Sequence, residues 1–363
     1  MCSRVVFQKC LGSGGQGFVI KSKCLGPPYC PGGKCMSPVV AVKVSRWWFG
    51  NRKTEKGIKV QPKSKIEKRV DQAAFFYDLT HPSNGTTNDH LLRYYGRHRI
   101  KIGDIMSDEN AGRSISTCWS TLGGEKLIAK KGEDYEVPGV LFEFGGSELS
   151  LWKLLHSGKG HPARMRKKYP KVVDQMWNVV IGFARGWQYI HAHDIIHRDF
   201  FKPGKNLLIY QDPVVKGVTH DFGISKYCNG TRRKEVEERS IAKMIEIYQF
   251  GNILYLLCFR KKPFDEFPNK KVRCGFDKRH LFLYRNTHQA SHPPDVNGYV
   301  CHKNHLNQMV ELMTKTWDGV LFKKKRTSIS WDEIIEELEA MQKVAPFYKE
   351  TFTARKTRQL VDD

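Results

Sequence analysis

Residues 195–209 have the sequence IIHRDFFKPGKNLLI, and residues 220–223 have the sequence HDFG. The apolar residues 207–209 predict a short strand, and the chain reaches the second motif after a short hairpin. The protein therefore carries a His-Arg-Asp triplet and an Asp-Phe-Gly triplet in this order, on either side of one predicted hairpin. The remaining elements of the chain can be placed relative to this pair of motifs.

The two motifs resemble the catalytic loop and the metal-binding turn of eukaryotic-type protein kinases. In that family an Asp accepts the substrate hydroxyl proton, an Asn and a second Asp hold Mg²⁺, and a Lys steadies the γ-phosphate. The resemblance implies that Asp199 and Lys202 are catalytic residues and that Asn206 and Asp221 bind Mg²⁺. A Lys that follows the loop Asp closely is typical of Ser/Thr kinases rather than Tyr kinases.

The spacing inside the catalytic loop differs from the family pattern. Asn206 lies seven positions after Asp199, where the family has five, and Lys202 lies three positions after it, where two is usual. One additional Phe and one additional Lys account for both shifts. Because phosphoryl transfer depends on positioning and charge neutralisation, a displacement of about 1 Å costs on the order of a hundredfold in rate.

A glycine-rich turn at residues 11–19, LGSGGQGFV, joins two predicted strands near the amino terminus. Glycines at this spacing let backbone N–H groups approach a triphosphate, because no Cβ stands in the way. A third predicted strand, residues 39–44, contains Lys43 and resembles the kinase strand whose Lys binds the α- and β-phosphates. The resemblance implies an ATP site in this part of the chain, lined by Leu11, Gly12, Gly14, Gly17, Val19, Ala41 and Lys43.

A helix is predicted over residues 65–79 from apolar positions at helical spacing. In protein kinases this helix carries a Glu that pairs with the strand Lys. Glu67 is the first candidate on charge and side-chain length, and Asp71 is the second. Counting back from residues 79–82 instead places Gln72 at this position, which would remove the ion pair with Lys43.

Residues 139–147, GVLFEFGGS, resemble the hinge between the two kinase lobes. The resemblance implies that Phe142 closes the back of the nucleotide pocket. It also implies that the backbone of Glu143 and Gly145 hydrogen-bonds adenine, a contact that any side chain permits.

The carboxyl-terminal half is predicted to be helical. Residues 149–155 begin it, and a long amphipathic helix over residues 171–191 leads into the catalytic loop, with His191 and His193 as capping or surface residues. Residues 241–255 resemble the helix that follows the activation segment, with Glu246 where the family has Asp. The Ala-Pro-Glu motif that helps kinases to dock peptides does not occur before this helix, and residues 306–313 and 331–341 match the closing helices.

The chain has 363 residues, of which 40% are hydrophobic, and a formal net charge of +24. The length permits a large core, and the charge favours anionic partners such as ATP or acidic peptides. The basic residues are scattered along the chain, which argues against a dedicated nucleic-acid groove. No stretch is long enough for a membrane helix, and no signal peptide is recognised, so an intracellular, cytoplasmic protein is expected, with a nuclear signal at residues 323–326 as an alternative to a solvated corner.

The ten cysteines are expected to be free thiols, with metal ligation as the alternative. Two segments could supply part of a zinc site, residues 24–35 with three thiols and residues 301–305 with Cys301, His302 and His305. Flexible loops with solvated side chains are the simpler interpretation of both segments.

These observations predict an α+β, bilobal protein-kinase-like fold, with a small β-rich N-lobe over residues 1–144 and a larger helical C-lobe over residues 145–345. Insertions are predicted near residues 24–38, 50–65 and 97–136, and a polar tail at residues 346–363. The implied function is transfer of the γ-phosphoryl group of Mg-ATP to a Ser or Thr hydroxyl of an unidentified, acidic protein. A pseudokinase that binds nucleotide or acts as a scaffold is the alternative, and a small molecule could replace the peptide as substrate. The sequence does not indicate an oligomeric state.

Overall fold

The protein is described here from a computed structural model. The structure describes residues 4–14, 17–25, 39–45, 48–49, 59–60, 88–106, 134–145, 149–156, 162–199, 206–211, 213–222, 225–259, 301–321 and 329–348. The chain divides into two compact units, a β-rich unit of residues 1–88 and 92–144 and a helical unit of residues 89–91 and 145–363. The α+β kinase fold class predicted from the sequence is confirmed.

The β-rich unit is built on a five-stranded antiparallel sheet with strand order β1-β2-β3-β7-β6. Strands β4 and β5 form a separate antiparallel pair. The elements are β1 (Arg4–Gly14), β2 (Gly17–Leu25), β3 (Val39–Ser45), β4 (Trp48–Phe49), β5 (Lys59–Val60), β6 (Tyr94–Lys101), helix α1 (Ile102–Met106) and β7 (Glu136–Glu143).

The core of the β-rich unit follows from the period of two along each strand. On β3, the side chains of Val40, Val42 and Val44 are fully buried on one face of the sheet. Ala41 and Lys43 therefore belong to the opposite face. Phe18 and Ile20 of β2 join the same core as the three valines.

Strand β6 extends farther than predicted. Residues 97–136 were expected to form an insertion, but β6 continues to Lys101 and is followed by α1. The strand pattern persists because Arg97, Arg99 and Lys101 alternate with less exposed neighbours and point to solvent. Arg99 pairs with Glu136 at 3.3 Å and Lys101 pairs with Asp134 at 3.1 Å. All four side chains are exposed, so the charges at this edge stay hydrated.

The helical unit contains seven helices and two short antiparallel strand pairs among the residues that the structure describes, β9 with β10 and β8 with β11. The helices are α2 (Leu151–His156), α3 (Pro162–Lys168), α4 (Pro170–Asp174), α5 (Met176–Ala192), α6 (Arg233–Phe259), α7 (Leu306–Leu321) and α8 (Trp331–Val344). The strands are β8 (Ile195–Ile196), β9 (Leu207–Tyr210), β10 (Lys216–Thr219) and β11 (Lys226–Tyr227), and a 3₁₀ turn covers Lys303–His305.

Helix α5 forms the centre of the helical unit. Twelve of its 17 residues are buried, among them Phe183 and Trp187. The ring of Trp187 stacks on Trp331 of α8 with an interplanar angle of 13° and a centroid distance of 6.1 Å. Helix α8 begins in a capping box, in which Ser330 and Glu333 exchange hydrogen bonds. The start of α8 is therefore held against α5 close to the catalytic loop.

Helix α6 begins eight residues before the predicted start at residue 241. Residues 233–237 are exposed, whereas every residue from Ile245 to Phe259 is buried. No Gly or Pro interrupts residues 233–250, and the Glu235 carboxylate accepts a hydrogen bond from the Arg232 amide ahead of the first turn. The helix therefore extends out of the core through a short polar segment.

Two further predictions are corrected by the structure. Cys10, Cys24 and Cys228 are disulfide-bonded, so the prediction of free thiols is wrong for them, whereas Cys258 and Cys301 are buried thiols that form no disulfide. Phe347 and Tyr348, within the segment predicted as a polar tail, are buried. Their backbone pairs with residues 301 and 302, which draws this segment onto the helical unit.

No helix among the described residues has the length and apolar character needed to cross a membrane.

Candidate active site

The His-Arg-Asp triplet lies directly after β8, and its first residue is buried in the helical unit. His197 is 0% exposed, and its Nε2 lies 2.8 Å from the carbonyl oxygen of His220, one residue before Asp221. Its ring also contacts Phe222 at a centroid distance of 5.1 Å. His197 therefore joins the catalytic loop to the Asp-Phe-Gly motif.

The backbone of the triplet is tied to helix α6. Arg198 has a left-handed φ of 67°, and its amide donates to Glu246 Oε1 at 2.8 Å. A left-handed conformation is uncommon outside Gly, Asn and Asp, so surrounding contacts must hold it. Glu246 is fully buried and provides that contact.

The same carboxylate continues into a buried network. Glu246 Oε2 lies 2.8 Å from His191 Nε2, and His191 Nδ1 accepts a hydrogen bond from Trp331 Nε1 at 2.7 Å. Since the indole donates to Nδ1, the His191 proton lies on Nε2 and is donated to Glu246. The prediction that His191 is a surface or capping residue is wrong, whereas the exposed His193 does cap the helix end.

Burial and hydrogen bonding set the charge of this network. Burial lowers the pKa of His191, which favours the neutral imidazole. Burial alone would raise the pKa of Glu246, but the hydrogen bonds from His191 and from the Arg198 amide hold it below its ordinary value. An ionised Glu246 therefore accepts from two fixed donors beneath the catalytic loop.

The predicted metal ligands lie at the open end of the hairpin formed by β9 and β10, with Asn206 directly before β9 and Asp221 two residues after β10. Asn206 Nδ2 donates to the carbonyl oxygen of Asp199 at 2.6 Å, across seven residues of chain. The His220 amide donates to the Asn206 carbonyl at 3.1 Å, so the residue before Asp221 is joined to the loop as well. Asp221 has a left-handed φ of 63°. The structure thus joins Asn206 to Asp199 and to His220, the residue before Asp221.

These residues fit the donor set that Mg²⁺ prefers, namely carboxylate and amide oxygens. Since the amide nitrogen of Asn206 is engaged with Asp199, the amide oxygen is the atom that remains to coordinate a cation. Among the residues that the structure describes, no group of three His, Cys, Asp or Glu side chains forms a metal cluster. In the proposed zinc segment, the Nδ1 atom of His302 instead accepts from the Asn304 amide.

The candidate nucleotide residues of the β-rich unit lie on neighbouring strands. Lys43 is half-buried and lies opposite Val19 on one side and Val140 on the other, and Ala41 lies opposite Phe142. The pairing of Gly14 with Gly17 closes the hairpin between β1 and β2, which also carries Leu11 and Gly12. One sheet therefore presents these candidate residues, together with Phe142 and Glu143 at the end of β7.

The two hinge candidates differ in their surroundings. The amide of Glu143 donates to the Arg93 carbonyl at 3.0 Å, and Glu143 lies opposite Val40 at the end of β7. A Cβ atom at Gly145 would lie 2.2 Å from the ring of Tyr210, which is itself buried. A side chain at this position would therefore require the ring of Tyr210 to move, whereas the predicted backbone contacts to adenine stay predictions.

Several candidates lie outside the described residues. These are Lys202, the three possible partners of Lys43 (Glu67, Asp71 and Gln72) and most of the thiols of residues 24–35. Their proposed roles remain predictions from the sequence.

The sequence analysis missed the importance of His191, Asp194, Arg239 and Lys243. Asp194 pairs with Arg239 at 3.0 Å and with Lys243 at 2.9 Å, at the turn between α5 and β8. The three positions are 45 and 49 residues apart in the chain, and no periodicity connects them. The one signal in the sequence for these contacts was Glu246, which stands where the family has Asp.

Comparison with known proteins agrees with this geometry. The family described as protein tyrosine and serine/threonine kinase matches residues 150–250. Mitogen-activated protein kinase kinase kinase 12 of Rattus norvegicus is 29% identical over 172 residues, which cover 43% of this chain and 18% of that protein. Mitogen-activated protein kinase kinase kinase 13-B of Xenopus laevis is 27% identical over 172 residues, covering 43% of this chain and 16% of that protein.

A third relative is the RGS domain-containing serine/threonine-protein kinase A of Dictyostelium discoideum, 31% identical over 110 residues, which cover 27% of this chain and 9% of that protein. The chain thus spans less than a fifth of the length of these curated relatives. The matched residues include the catalytic loop, the Asp-Phe-Gly motif and helix α6 up to Phe250. The resemblance to eukaryotic-type protein kinases predicted from the sequence is therefore confirmed for this part of the chain.

Proposed function

We propose that the protein is an active kinase that transfers the γ-phosphoryl group of Mg-ATP to a Ser or Thr hydroxyl of a protein. The observation that carries this proposal is the hydrogen bond from Asn206 to the Asp199 carbonyl at 2.6 Å. It shows that a loop with altered spacing still brings its two ends together. The altered spacing therefore does not keep Asn206 away from Asp199.

In this proposal each residue of the chain has a distinct task. Asp199 orients the substrate hydroxyl and accepts its proton, and Lys202 offsets charge on the transferring group. Asn206 and Asp221 would hold Mg²⁺, which supplies charge neutralisation at the phosphates when bound. Lys43 would bind the α- and β-phosphates, and the hairpin of residues 12–17 would cover them.

The network beneath the loop supports the same proposal. Glu246, His191 and Trp331 fix the backbone of Arg198, and His197 fixes the segment before Asp221. Catalysis of phosphoryl transfer depends on prepositioned charges, so it requires buried contacts that hold the catalytic loop in place. A high positive charge on the chain, +24, favours acidic protein substrates.

A pseudokinase is the second candidate, and one observation favours it. Helix α6 begins at Arg233, so the segment between Phe222 and the helix is short and lacks the Ala-Pro-Glu motif with which kinases dock peptides. A chain of this kind could retain the nucleotide site without acting on a peptide.

The deciding experiment measures transfer of radiolabelled phosphate from Mg-ATP to the purified chain and to acidic and basic carrier proteins. We expect transfer by the wild-type protein and a fall of about 10²- to 10⁴-fold in Asp199→Asn, because the general base is lost. Asp174→Asn is the matched control, since Asp174 is exposed and pairs only with Arg166 among the ion pairs that the structure describes. Acid hydrolysis of the product identifies the phosphorylated hydroxyl.

Absence of transfer by the wild-type protein, with binding of a fluorescent ATP analogue retained, would overturn the proposal in favour of the pseudokinase. Phosphotyrosine as the main product would overturn the Ser/Thr assignment alone.

A further inference from the structure

The first described residues after the Asp-Phe-Gly motif, 225–228, are held by strand pairing and by hydrogen bonds. Only residues 223–232 lie between Phe222 and helix α6. Within them, β11 pairs with β8, with Lys226 opposite Ile196 and Tyr227 opposite Ile195. Strand β8 ends immediately before His197, so this pairing places the segment beside the catalytic loop.

A cluster of three charged side chains, the Asp194 ion cluster, lies at the base of this pairing. One oxygen of the Asp194 carboxylate accepts a hydrogen bond from Arg239 Nη1 at 3.0 Å, and the other accepts one from Lys243 Nζ at 2.9 Å. The three side chains are between 20% and 35% exposed, so solvent screens the pairs only in part. Both cations belong to the first half of α6, ahead of its fully buried stretch.

The same three residues also bind the backbone on both sides of the pairing. The Cys228 amide donates to the Asp194 carbonyl at 2.8 Å, and Arg239 donates to the Cys228 carbonyl at 2.8 Å. Lys243 donates to the carbonyl of His191 at 2.6 Å, at the end of α5. The Asp194 ion cluster therefore joins α5, β8, β11 and α6.

Asp194 also has a left-handed φ of 57°, which permits the tight turn between α5 and β8. Asp and Asn tolerate this conformation better than other side chains except Gly. A change to Asn consequently removes the charge without disturbing the turn.

A second contact connects the segment to the catalytic residues. Buried Ser225 donates its hydroxyl to the His197 carbonyl at 2.9 Å, and its amide donates to the Phe222 carbonyl at 3.0 Å. The path from Asp194 to the loop is thus continuous through β8 and through residues 225–228.

We infer that Asp194 is a positioning residue whose pairs with Arg239 and Lys243 hold residues 225–228 in place, so that the kinase works without phosphorylation of this segment. The inference rests on the proposed function. Kinase activation loops are commonly ordered by phosphorylation, which creates new pairs between arginine and the phosphate. Here a carboxylate of the chain itself already pairs with two cations of α6.

The first arm of the test uses phosphatase-treated protein, shown by mass spectrometry to carry no phosphate. We expect it to transfer phosphate at an initial rate within about twofold of the untreated protein. Tyr227→Phe combined with Thr231→Ala removes two exposed hydroxyls of the segment and should leave the rate unchanged. All arms contain a thiol reductant, because Cys228 is disulfide-bonded and could hold the segment independently.

The second arm compares Asp194→Asn and Arg239→Gln with Arg239→Lys, which keeps the charge, and with Arg233→Gln, an exposed residue of the same helix. We expect kcat to fall about ten- to a hundredfold in the first two variants, with KM for ATP changed less than threefold, because misplacement affects the reacting geometry rather than the nucleotide. Arg239→Lys should recover most of kcat, and Arg233→Gln should match wild type.

Two results would overturn the inference. One is a phosphatase-treated protein that becomes active only after Tyr227 or Thr231 is phosphorylated, and the other is full kcat in both Asp194→Asn and Arg239→Gln.

Hydrogen exchange of the Cys228 amide separates failure of this inference from failure of the proposed function. The amide should exchange slowly in the wild type and at least tenfold faster in Asp194→Asn, whether or not the protein is active. If the wild type transfers no phosphate, the proposed function fails, and this exchange rate alone decides whether the ion cluster holds the segment. Equal rates in both proteins would reject that role.

Discussion

The catalytic loop of the helical unit and the glycine-rich hairpin of the β-rich unit differ in how closely they follow the kinase pattern and in which contacts hold them. The loop departs from the family spacing, yet the buried Glu246 holds its backbone at Arg198, and the Asn206 side chain joins its two ends. The hairpin keeps its glycines, and what the structure shows holding it is the pairing of β1 with β2. A Cβ atom at Gly12 would meet nothing within 4 Å.

This difference shows that the contacts beneath a motif determine its geometry more than the number of residues between its members. Two extra residues in a loop are tolerated because loop-closure entropy rises slowly with length. Glu246 binds the Arg198 amide ahead of the loop, and His197 Nε2 lies 2.8 Å from the His220 carbonyl oxygen after it. Breaking these contacts should therefore have a larger effect than changing the hairpin.

The largest effect is expected for Glu246→Leu. The substitution leaves the His191 Nε2–H group and the Arg198 amide buried without their acceptor. Removing one partner of such a buried group typically costs about 3–5 kcal/mol of unfolding free energy. Chemical denaturation followed by fluorescence measures the change.

Glu336→Leu is the control for this substitution, because Glu336 is exposed on α8. It should change the unfolding free energy by no more than about 0.5 kcal/mol. Equal losses for the two variants would show that the buried network contributes no more than a surface charge.

The next prediction concerns the pH dependence of the unfolding free energy, which reports on a histidine buried in the helical unit. Burial against Trp177 and Phe347, whose ring centroids lie 5.0 and 6.2 Å away, lowers the pKa of His305 to about 4. The unfolded chain binds this proton with a pKa of about 6.5. The stabilisation by neutral His305 is therefore complete above pH 6.5 and is lost as the pH falls toward 4.

The loss should amount to about 3 kcal/mol of unfolding free energy between pH 7 and pH 4. His305→Phe cannot bind the proton, so its stability should fall by that much less over the same interval. Burial also lowers the pKa of His90 and His98, which both proteins retain, so the difference between the two curves isolates His305. Parallel curves would contradict the prediction.

The smallest effect is expected for alanine substitutions of two glycines, Gly145 in the predicted hinge and Gly12 in the glycine-rich turn. Gly145→Ala places a methyl group against the ring of Tyr210 and should cost about 1–3 kcal/mol of unfolding free energy. Gly12→Ala adds its methyl group in open space, so stability should change by no more than about 0.5 kcal/mol. Thermal unfolding of the two variants tests the pair, and a larger loss for Gly12→Ala would reverse the comparison.

Much of the fold could be predicted from the sequence because its elements have strong local signals. Alternating valines predicted β3, and apolar positions at helical spacing predicted the long helix α5. The boundaries were less predictable. Strand β6 continues through charged residues because their neighbours are buried, and α6 begins outside the core because nothing in residues 233–240 breaks a helix.

The site could be predicted only as a set of residue types. The order of Asp199, Asn206 and Asp221 and the two triplets identified the catalytic loop, since these residues lie within 23 positions of one another. The residues that hold the loop could not be identified in the same way. His191 lies 55 positions from Glu246 and 140 positions from Trp331 in the chain. The sequence gives His191 and Trp331 ordinary places on predicted helices, and only the family pattern singles out Glu246.

The sequence by itself therefore determined the fold class and the resemblance to protein kinases, and it predicted which residues would bind the phosphates and the metal, because these depend on local periodicity and on short motifs. The tertiary structure alone decided whether a loop with two extra residues could still bring Asn206 back to Asp199. It also decided which charges are paired, as in the Asp194 ion cluster. The reason is physical: hydrogen bonds and ion pairs depend on distances in space, and those distances arise only when helices far apart in the chain pack together.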